Sequence, residues 1–331
     1  MISEDANLAD TRPTPPATAV DRNLTLEIAR ITERAAIAAA GWRGKGDEMQ
    51  ADKAAVLAMH DALNAIDIAG RVVIGEGRDA ELLAFEDAVG TGTGPAIDVA
   101  VDPLEGVTGC AKNVADSLSV MAFAERDGLM RVPDAYMEKI AIGRGYPQGI
   151  VDLDQSASDN IRALAKAKGV AATDIVACLL DRPRHASLIA ELRELGVAVK
   201  LLPDGDIAAV IHAANSDDTG IDIYLGSGGA EEGVLAAAAM RCMGGQMQGR
   251  LILDTAEKKS RARELGIKDL AAKFTADEMA HGDVLFAATG VTDGSLLRGV
   301  KLLPHKVVTS SVVMRSWSHT TRWITAEHGR V

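Results

Sequence analysis

Aromatic side chains are scarce in this chain: of 331 residues, three are Trp, three Tyr and four Phe. Stacked rings therefore cannot dominate the core. It must rest on Ala, Val, Ile, Leu and Met, within a hydrophobic fraction of 47% that is ordinary for a globular chain. Cysteine is almost absent as well. Cys110, Cys178 and Cys242 lie far apart with no CxxC pair, which excludes a disulfide framework or a zinc-type spacing and fits structural thiols in a reducing cytoplasm. No uninterrupted apolar run reaches the roughly 18 residues of a membrane-spanning helix. The N-terminus carries Glu4, Asp5 and Asp10 where a signal peptide would be basic and then apolar. Positive charge is in deficit: 35 Lys and Arg against 47 Asp and Glu leave a net charge of −12. That balance argues against nucleic-acid or anionic-membrane partners. A phosphorylated ligand would have to be met locally, by individual arginines and lysines, helix N-termini or metal ions.

The length exceeds what one hydrophobic core usually serves, so two lobes are expected. Residues 1–22 are polar, hold Pro13, Pro15 and Pro16, and read as a disordered tail. From Asn23, Leu24, Ile28, Ile31, Ala35 and Ala38 recur at helical spacing up to Gly41. A second helix carries Val56, Met59, Leu63 and Ile66 on one face. Strands are expected at 71–75, 97–101 and 117–124. After about residue 150, strands (175–180, 197–201, 221–225) alternate with helices (184–195, 207–214, 231–243), the pattern of a parallel sheet covered on both faces. The expected division is an N-terminal α+β lobe over 23–150 and a C-terminal α/β lobe over 151–331. Residues 254–281 are charged and read as an exposed helical excursion.

Carboxylates gather where these elements end. Asp102-Pro103-Leu104-Glu105-Gly106 follows the alternating run Ile97–Val101, so two acids stand at a strand end, beside a proline that removes a ladder donor and a glycine that permits a tight turn. Oxygen ligands grouped in this way suit a hard divalent cation, although a solvated turn is equally compatible with the motif alone. Glu76 sits between two glycines just after the strand at 71–75. Asp52 precedes the second helix, where a capping role is as good a reading. Glu231 and Glu232 open the helix after Gly226–Gly229, where acids also complement the helix dipole. Asp98, on the same side of its strand as Asp102, reads as a supporting or solvated acid. Arg182 and Arg184 flank Pro183 at the carboxyl end of the strand at 175–180, where α/β sheets bind ligands and a helix N-terminus favours an anion; two guanidiniums there suit a phosphate.

Several ordered motifs carry a resemblance. They are Gly44-Lys45-Gly46-Asp47 with Ala51-Asp52, Val73–Gly77, Asp102–Gly106, Ala135–Lys139, Asp181–His185, Pro203–Asp206, Gly228–Gly233, Met240–Gly245 and Ala288–Gly294. Over roughly residues 23–328 the chain resembles class II fructose-1,6-bisphosphatases of the bacterial glycerol-regulon type. These are members of the lithium-sensitive, metal-dependent sugar phosphatase superfamily and are related to cyanobacterial bifunctional fructose/sedoheptulose bisphosphatases. The resemblance implies a layered αβαβα sandwich, Mg²⁺ or Mn²⁺ as cofactor, a phosphorylated sugar as substrate, and a cytoplasmic homo-oligomer, dimer or tetramer. It places metal ligands at Asp52, Glu76, Asp102, Glu105 and Glu232. Substrate contacts fall on Glu105, Gly106, Val107, Tyr136, Arg182, Pro183, Arg184, Asp204, Gly205, Asp206 and Gly229. The implied reaction removes the 1-phosphate of fructose 1,6-bisphosphate in gluconeogenesis, with sedoheptulose 1,7-bisphosphate as a further substrate.

The chain departs from the family pattern around this site. Val107 stands where the signature has a catalytic threonine, Arg78 replaces a glutamate, Glu231 replaces a proline, and Asp79–Phe85 is shorter. The adjacent hydroxyl, Thr108, joins Asp102 and Glu105 as the catalytic candidates. The alternative reading is a low-activity or non-catalytic paralogue that binds sugar phosphate.

Overall fold

The computed structural model describes Val20 and residues 23–78 and 80–329. Apart from Val20, the expected tail lies outside the described residues. Val20 itself is buried, and its carbonyl accepts a hydrogen bond from Arg315 at 2.7 Å.

Helices α1 (Leu24–Ala40) and α2 (Glu48–Leu63) precede β1 (Ala69–Ile74), β2 (Ala88–Val89), β3 (Ala96–Glu105), α3 (Val107–Lys112) and β4 (Leu118–Glu125). A second sheet begins with β5 (Tyr136–Ile142), followed by α4 (Ala157–Lys168), β6 (Val176–Leu180), α5 (Ala186–Glu194), β7 (Ala198–Leu202), α6 (Asp206–Ala214) and the single turn α7 (Ser216–Thr219). Next come β8 (Ile223–Gly229), α8 (Ala230–Met243), β9 (Gln246–Ile252), α9 (Ala256–Glu264), β10 (Phe274–Thr275) and α10 (Ala276–Met279). The chain then returns through β11 (Val284–Gly290), β12 (Lys301–Leu302), β13 (Lys306–Arg315) and β14 (Thr320–Gly329).

These strands form two sheets. The first runs β12-β13-β11-β4-β3-β1-β2, with β14 against β13; the second runs β10-β9-β5-β8-β6-β7. Apolar residues distribute the helices into layers. Ile28, Ile31 and Ala35 of α1, with Ala55, Met59 and Leu63 of α2, pack on Val72, Val99, Val101 and Phe123 of the first sheet. On its other face, Val120, Ala122 and Phe286 meet α6 and α8, which also touch Met137, Ala141 and Tyr224 of the second sheet. Ile161, Leu164, Ile189 and Leu192 of α4 and α5 close the far face of that sheet. The result is an αβαβα sandwich. A helix buried on all sides between two sheets needs small residues, which is what the buried run Ala236–Ala239 in α8 supplies.

Two expectations change. Residue 150 does not divide the sheets: β5 lies in the second sheet, and β11–β14 rejoin the first across more than 150 residues of intervening sequence. Nor is the second sheet wholly parallel. Strands β7, β6 and β8 are parallel, but β5 pairs antiparallel with β8 on one side and with β9 on the other. The charged stretch 254–281 is helical and largely exposed in α9, yet β10 pairs with β9, and Met279 of α10 is fully buried.

Candidate active site

Both sheets aim the carboxyl ends of parallel strands at one cleft of about 490 Å³. From the first sheet come Glu76, just beyond β1, and Asp102 and Glu105 at the end of β3; β1 and β3 are parallel neighbours. A regular strand would send residues three apart to opposite faces. Here the β3–β4 register shifts between Asp102 and Glu105, a bulge at Pro103 that re-aims a side chain as bulges do. Pro103 thus interrupts the ladder without ending the strand, contrary to the expectation that it stops there. Asp52 reaches the cleft from within α2. The cap of that helix is Asp47, whose carboxylate accepts from the Gln50 N–H at 3.0 Å, so Asp52 is free of the capping role. Glu231 and Glu232 enter from the first turn of α8.

The acids crowd one another. Burial, then the charge of Asp52, pushes Glu76 up to about 7. Burial, then Glu232, raises Glu231 to about 7. Asp102 is raised well above the carboxylate range by burial and then by Glu232, Glu76 and Asp52. Glu105 is raised likewise, by burial and then by the charges of Asp102 and Asp206. Asp52 and Glu232 are raised chiefly by burial. Such a set is poorly stable without a compensating positive charge. Glu105 Oε2 is buried and has no hydrogen-bond partner, an unmet acceptor in a residue that lines the cleft. Among the described residues, no three metal-binding side chains converge on one point, so the acids line a cleft rather than a closed cage. In number, chemistry and unmet acceptor, the set suits a hard divalent cation held by carboxylate oxygens.

Beyond Glu105 the backbone turns sharply. Gly106 has φ +79°, and an added Cβ would lie 3.2 Å from Ser117 Oγ, so glycine is required there. Ser117 Oγ donates to the Gly106 carbonyl at 2.8 Å, and Thr292 Oγ1 accepts from the Ser117 N–H at 2.9 Å. The Thr292-Asp293-Gly294 motif therefore buttresses this turn. Val107 and Thr108 form the first turn of α3, and both line the cleft. On a helix, consecutive side chains are separated by about 100° rather than the 180° of an extended strand. Thr108 thus faces the same cleft as Val107, which also packs partly on the first-sheet core.

The second sheet supplies the opposite wall. Strands β6, β7 and β8 end at Arg182 and Arg184, at Asp204–Asp206, and at Gly228 and Gly229, respectively. The Arg184 guanidinium lies over the Tyr136 ring at 4.9 Å and donates to the Ser227 carbonyl at 2.7 and 3.1 Å. Arg182 pairs with Asp204 at 2.9 Å and also donates to the Pro203 carbonyl. His185 is buried; its Nε2 accepts from the Ser227 N–H at 2.9 Å, so Nδ1 carries the proton donated to the Leu180 carbonyl at 2.8 Å. It fixes the loop that holds Arg184, a structural role.

The cleft thus gathers Asp52, Glu76, Asp102, Glu105, Gly106, Val107, Thr108, Tyr136, Arg182, Arg184, Asp204, Gly205, Asp206, Gly229 and Glu232. Pro183 is the exception: it opens a short 3₁₀ turn and does not line the cleft. Its fixed φ starts that turn, which carries the ring outward. Asp98 lies at the other end of β3, buried and paired with Arg71 at 2.7 Å and Arg126 at 3.4 Å, neither solvated nor near the acids.

Against this geometry the comparisons with known proteins are decisive. Residues 22–328 match the family described as bacterial fructose-1,6-bisphosphatase, glpX-encoded. The chain belongs to this family. The family is metal-dependent, in keeping with the acidic cleft. The chain is 40% identical to a "D-fructose 1,6-bisphosphatase class 2/sedoheptulose 1,7-bisphosphatase" of Synechococcus sp. (strain JA-3-3Ab), over 93% of this chain and 96% of the relative. Proteins of the same name from Prochlorococcus marinus (strain MIT 9303) and Synechococcus sp. (strain RCC307) are 40% and 41% identical, each over 93% of this chain and 97% of the relative.

Proposed function

We propose that this chain hydrolyses the 1-phosphate ester of fructose 1,6-bisphosphate, giving fructose 6-phosphate and inorganic phosphate in gluconeogenesis, with Mg²⁺ or Mn²⁺ as cofactor. The observation that carries the proposal is a single cleft between the two sheets that brings a cluster of acids to face two arginines. Carboxylate oxygens for the cation would come from among Asp52, Glu76, Asp102, Glu105 and Glu232. Once bound, it polarises the phosphoryl oxygens, lowers the pKa of an attacking water and neutralises the leaving alkoxide. Arg182 and Arg184 hold the distal phosphate, with Tyr136 shaping the guanidinium wall. Asp204, Gly205, Asp206 and Gly229 meet the sugar, and Gly106 and Val107 border the reacting phosphate. Sedoheptulose 1,7-bisphosphate is included as a substrate because the relatives are named for both activities. Those names also leave the binding-only paralogue without a supporting observation.

Val107 presents no hydroxyl, so the water-orienting role falls to Thr108, one residue further along the same helical turn. The test is phosphate release by Thr108→Val and Val107→Thr. Loss of the hydroxyl is expected to lower kcat by on the order of 10²-fold, and Val107→Thr to raise it. Unchanged turnover in Thr108→Val would remove Thr108 from the reaction. The same reading places the protein in the cytoplasm, supported by three buried free cysteines and by the lack of any helix long and apolar enough to cross a membrane among the described residues. Homo-oligomerisation belongs to the same reading, as the family resemblance implies.

A further inference from the structure

Lys139 is 1% exposed, in the middle of strand β5, in register with Met137 and Ala141, which face the helices between the sheets. A lysine there is costly unless each ammonium proton is met. Its Nζ donates to the Asp206 carboxylate and, at 2.7 Å, to the Gly229 carbonyl. Asp206 is the first residue of α6, and Gly229 immediately precedes α8. One ammonium therefore ties two helix starts, both bordering the cleft, to the central strand of the second sheet. The space around it has no slack: an added Cβ on Gly228 would lie 2.1 Å from Asp206 Oδ2 and 3.3 Å from Lys139 Nζ. Among the described residues lining this cleft the remaining acids are Asp52, Glu76, Asp102, Glu105, Asp204, Glu231 and Glu232, whereas the cations are Arg182 and Arg184 at its rim. Lys139 supplies positive charge from behind the wall, where it cannot touch substrate.

We propose that Lys139 is a positioning residue for sugar binding. It holds the Asp206 carboxylate against the repulsion of Glu105 and Glu232, and sets the spacing between the sugar-facing wall of α6 and the acid-bearing start of α8. The inference rests on the hydrolase reading above for its substrate, but the contacts of Lys139 stand independently of it.

The test compares wild type with Lys139→Met, Asp206→Asn and the charge-balanced pair Lys139→Met/Asp206→Asn. KM and kcat for fructose 1,6-bisphosphate are measured at saturating Mn²⁺, alongside the melting temperature. Each single variant is expected to raise KM at least tenfold, with a smaller change in kcat. The pair recovers most of the melting temperature, because no buried charge is left uncompensated, yet keeps the raised KM and is no worse than either single variant. If the pair restores KM together with stability, or if folded Lys139→Met binds substrate as wild type does, the positioning role is overturned and Lys139 is merely structural. A wild-type protein without turnover would overturn the hydrolase reading alone. Calorimetric binding of fructose 6-phosphate to the same four proteins would still decide the role of Lys139, with at least tenfold weaker binding expected in all three variants and equal affinities refuting it.

Discussion

The crowding of acids makes the metal-free protein sensitive to pH in a direction that can be worked out from Glu76. Burial and the neighbouring Asp52 hold its carboxyl at about 7, against 4.5 when solvated. The folded state therefore binds the proton more tightly than the unfolded chain. Its contribution to stability is intact below 4.5 and is lost as pH rises through 7. The rise from 4.5 to about 7 corresponds to roughly 3 kcal/mol. For 331 residues the entropy of melting is about 0.7 kcal/mol/K, so the loss is about 4 °C in melting temperature. His212, which burial depresses to about 4, works in the opposite direction between 4 and 6.5, so the informative quantity is the difference between wild type and Glu76→Gln, in which it cancels. Melting in the presence of a chelator, at pH 5 and at pH 8, is expected to show a fall between the two that is about 4 °C larger in wild type than in Glu76→Gln. Mn²⁺ added at pH 8 should recover the loss in wild type and do less in the variant. An identical pH dependence in the two proteins would refute the electrostatic reading of the cleft.

Other residues make separable predictions. In Gly229→Ala the new methyl would lie 1.8 Å from Glu232 Oε2, the end of a flexible side chain; calorimetry is expected to show at least tenfold weaker Mn²⁺ binding with a melting temperature within a few degrees of wild type. Arg184→Met removes a charge-assisted phosphate contact, and steady-state kinetics should show KM higher by about ten- to a hundredfold, corresponding to roughly 1.5–3 kcal/mol. Arg71→Met leaves the buried Asp98 with Arg126 at 3.4 Å as its cationic partner, so denaturant unfolding should lose about 3–5 kcal/mol while KM stays unchanged.

Much of this site is legible in the sequence because its chemistry sits where local patterns end. Glu76 between two glycines, Asp102 and Glu105 beyond an alternating run, and Arg182 and Arg184 after an apolar strand all mark strand ends without any knowledge of pairing. What stays hidden depends on contacts between distant segments. The return of β11–β14 to the first sheet pairs residues such as Leu285 with Phe123, and nothing near either residue announces it. The bulge at Pro103 looks like a strand terminus until β4 resumes pairing beyond it. Asp52 passes for a cap because the true cap, Asp47, stands five residues earlier on an equally suitable turn. Lys139 left a faint signal: a lysine in phase with Met137 and Ala141 in a strand whose two faces are both apolar. Glu231 lines the cleft beside Glu232; its carboxyl is raised first by burial and then by adjacent Glu232, and only Asp134 and Glu76 are charges that folding brings to it from afar.

The most direct measurement is phosphate release from fructose 1,6-bisphosphate by the wild-type protein and Glu105→Gln, each with Mg²⁺, with Mn²⁺ and with a chelator. Release is expected from wild type with a divalent cation, to vanish with the chelator, and to fall by orders of magnitude in Glu105→Gln. A folded wild-type protein that binds Mn²⁺ yet releases no phosphate, or a Glu105→Gln variant as active as wild type, would contradict hydrolysis at this cleft.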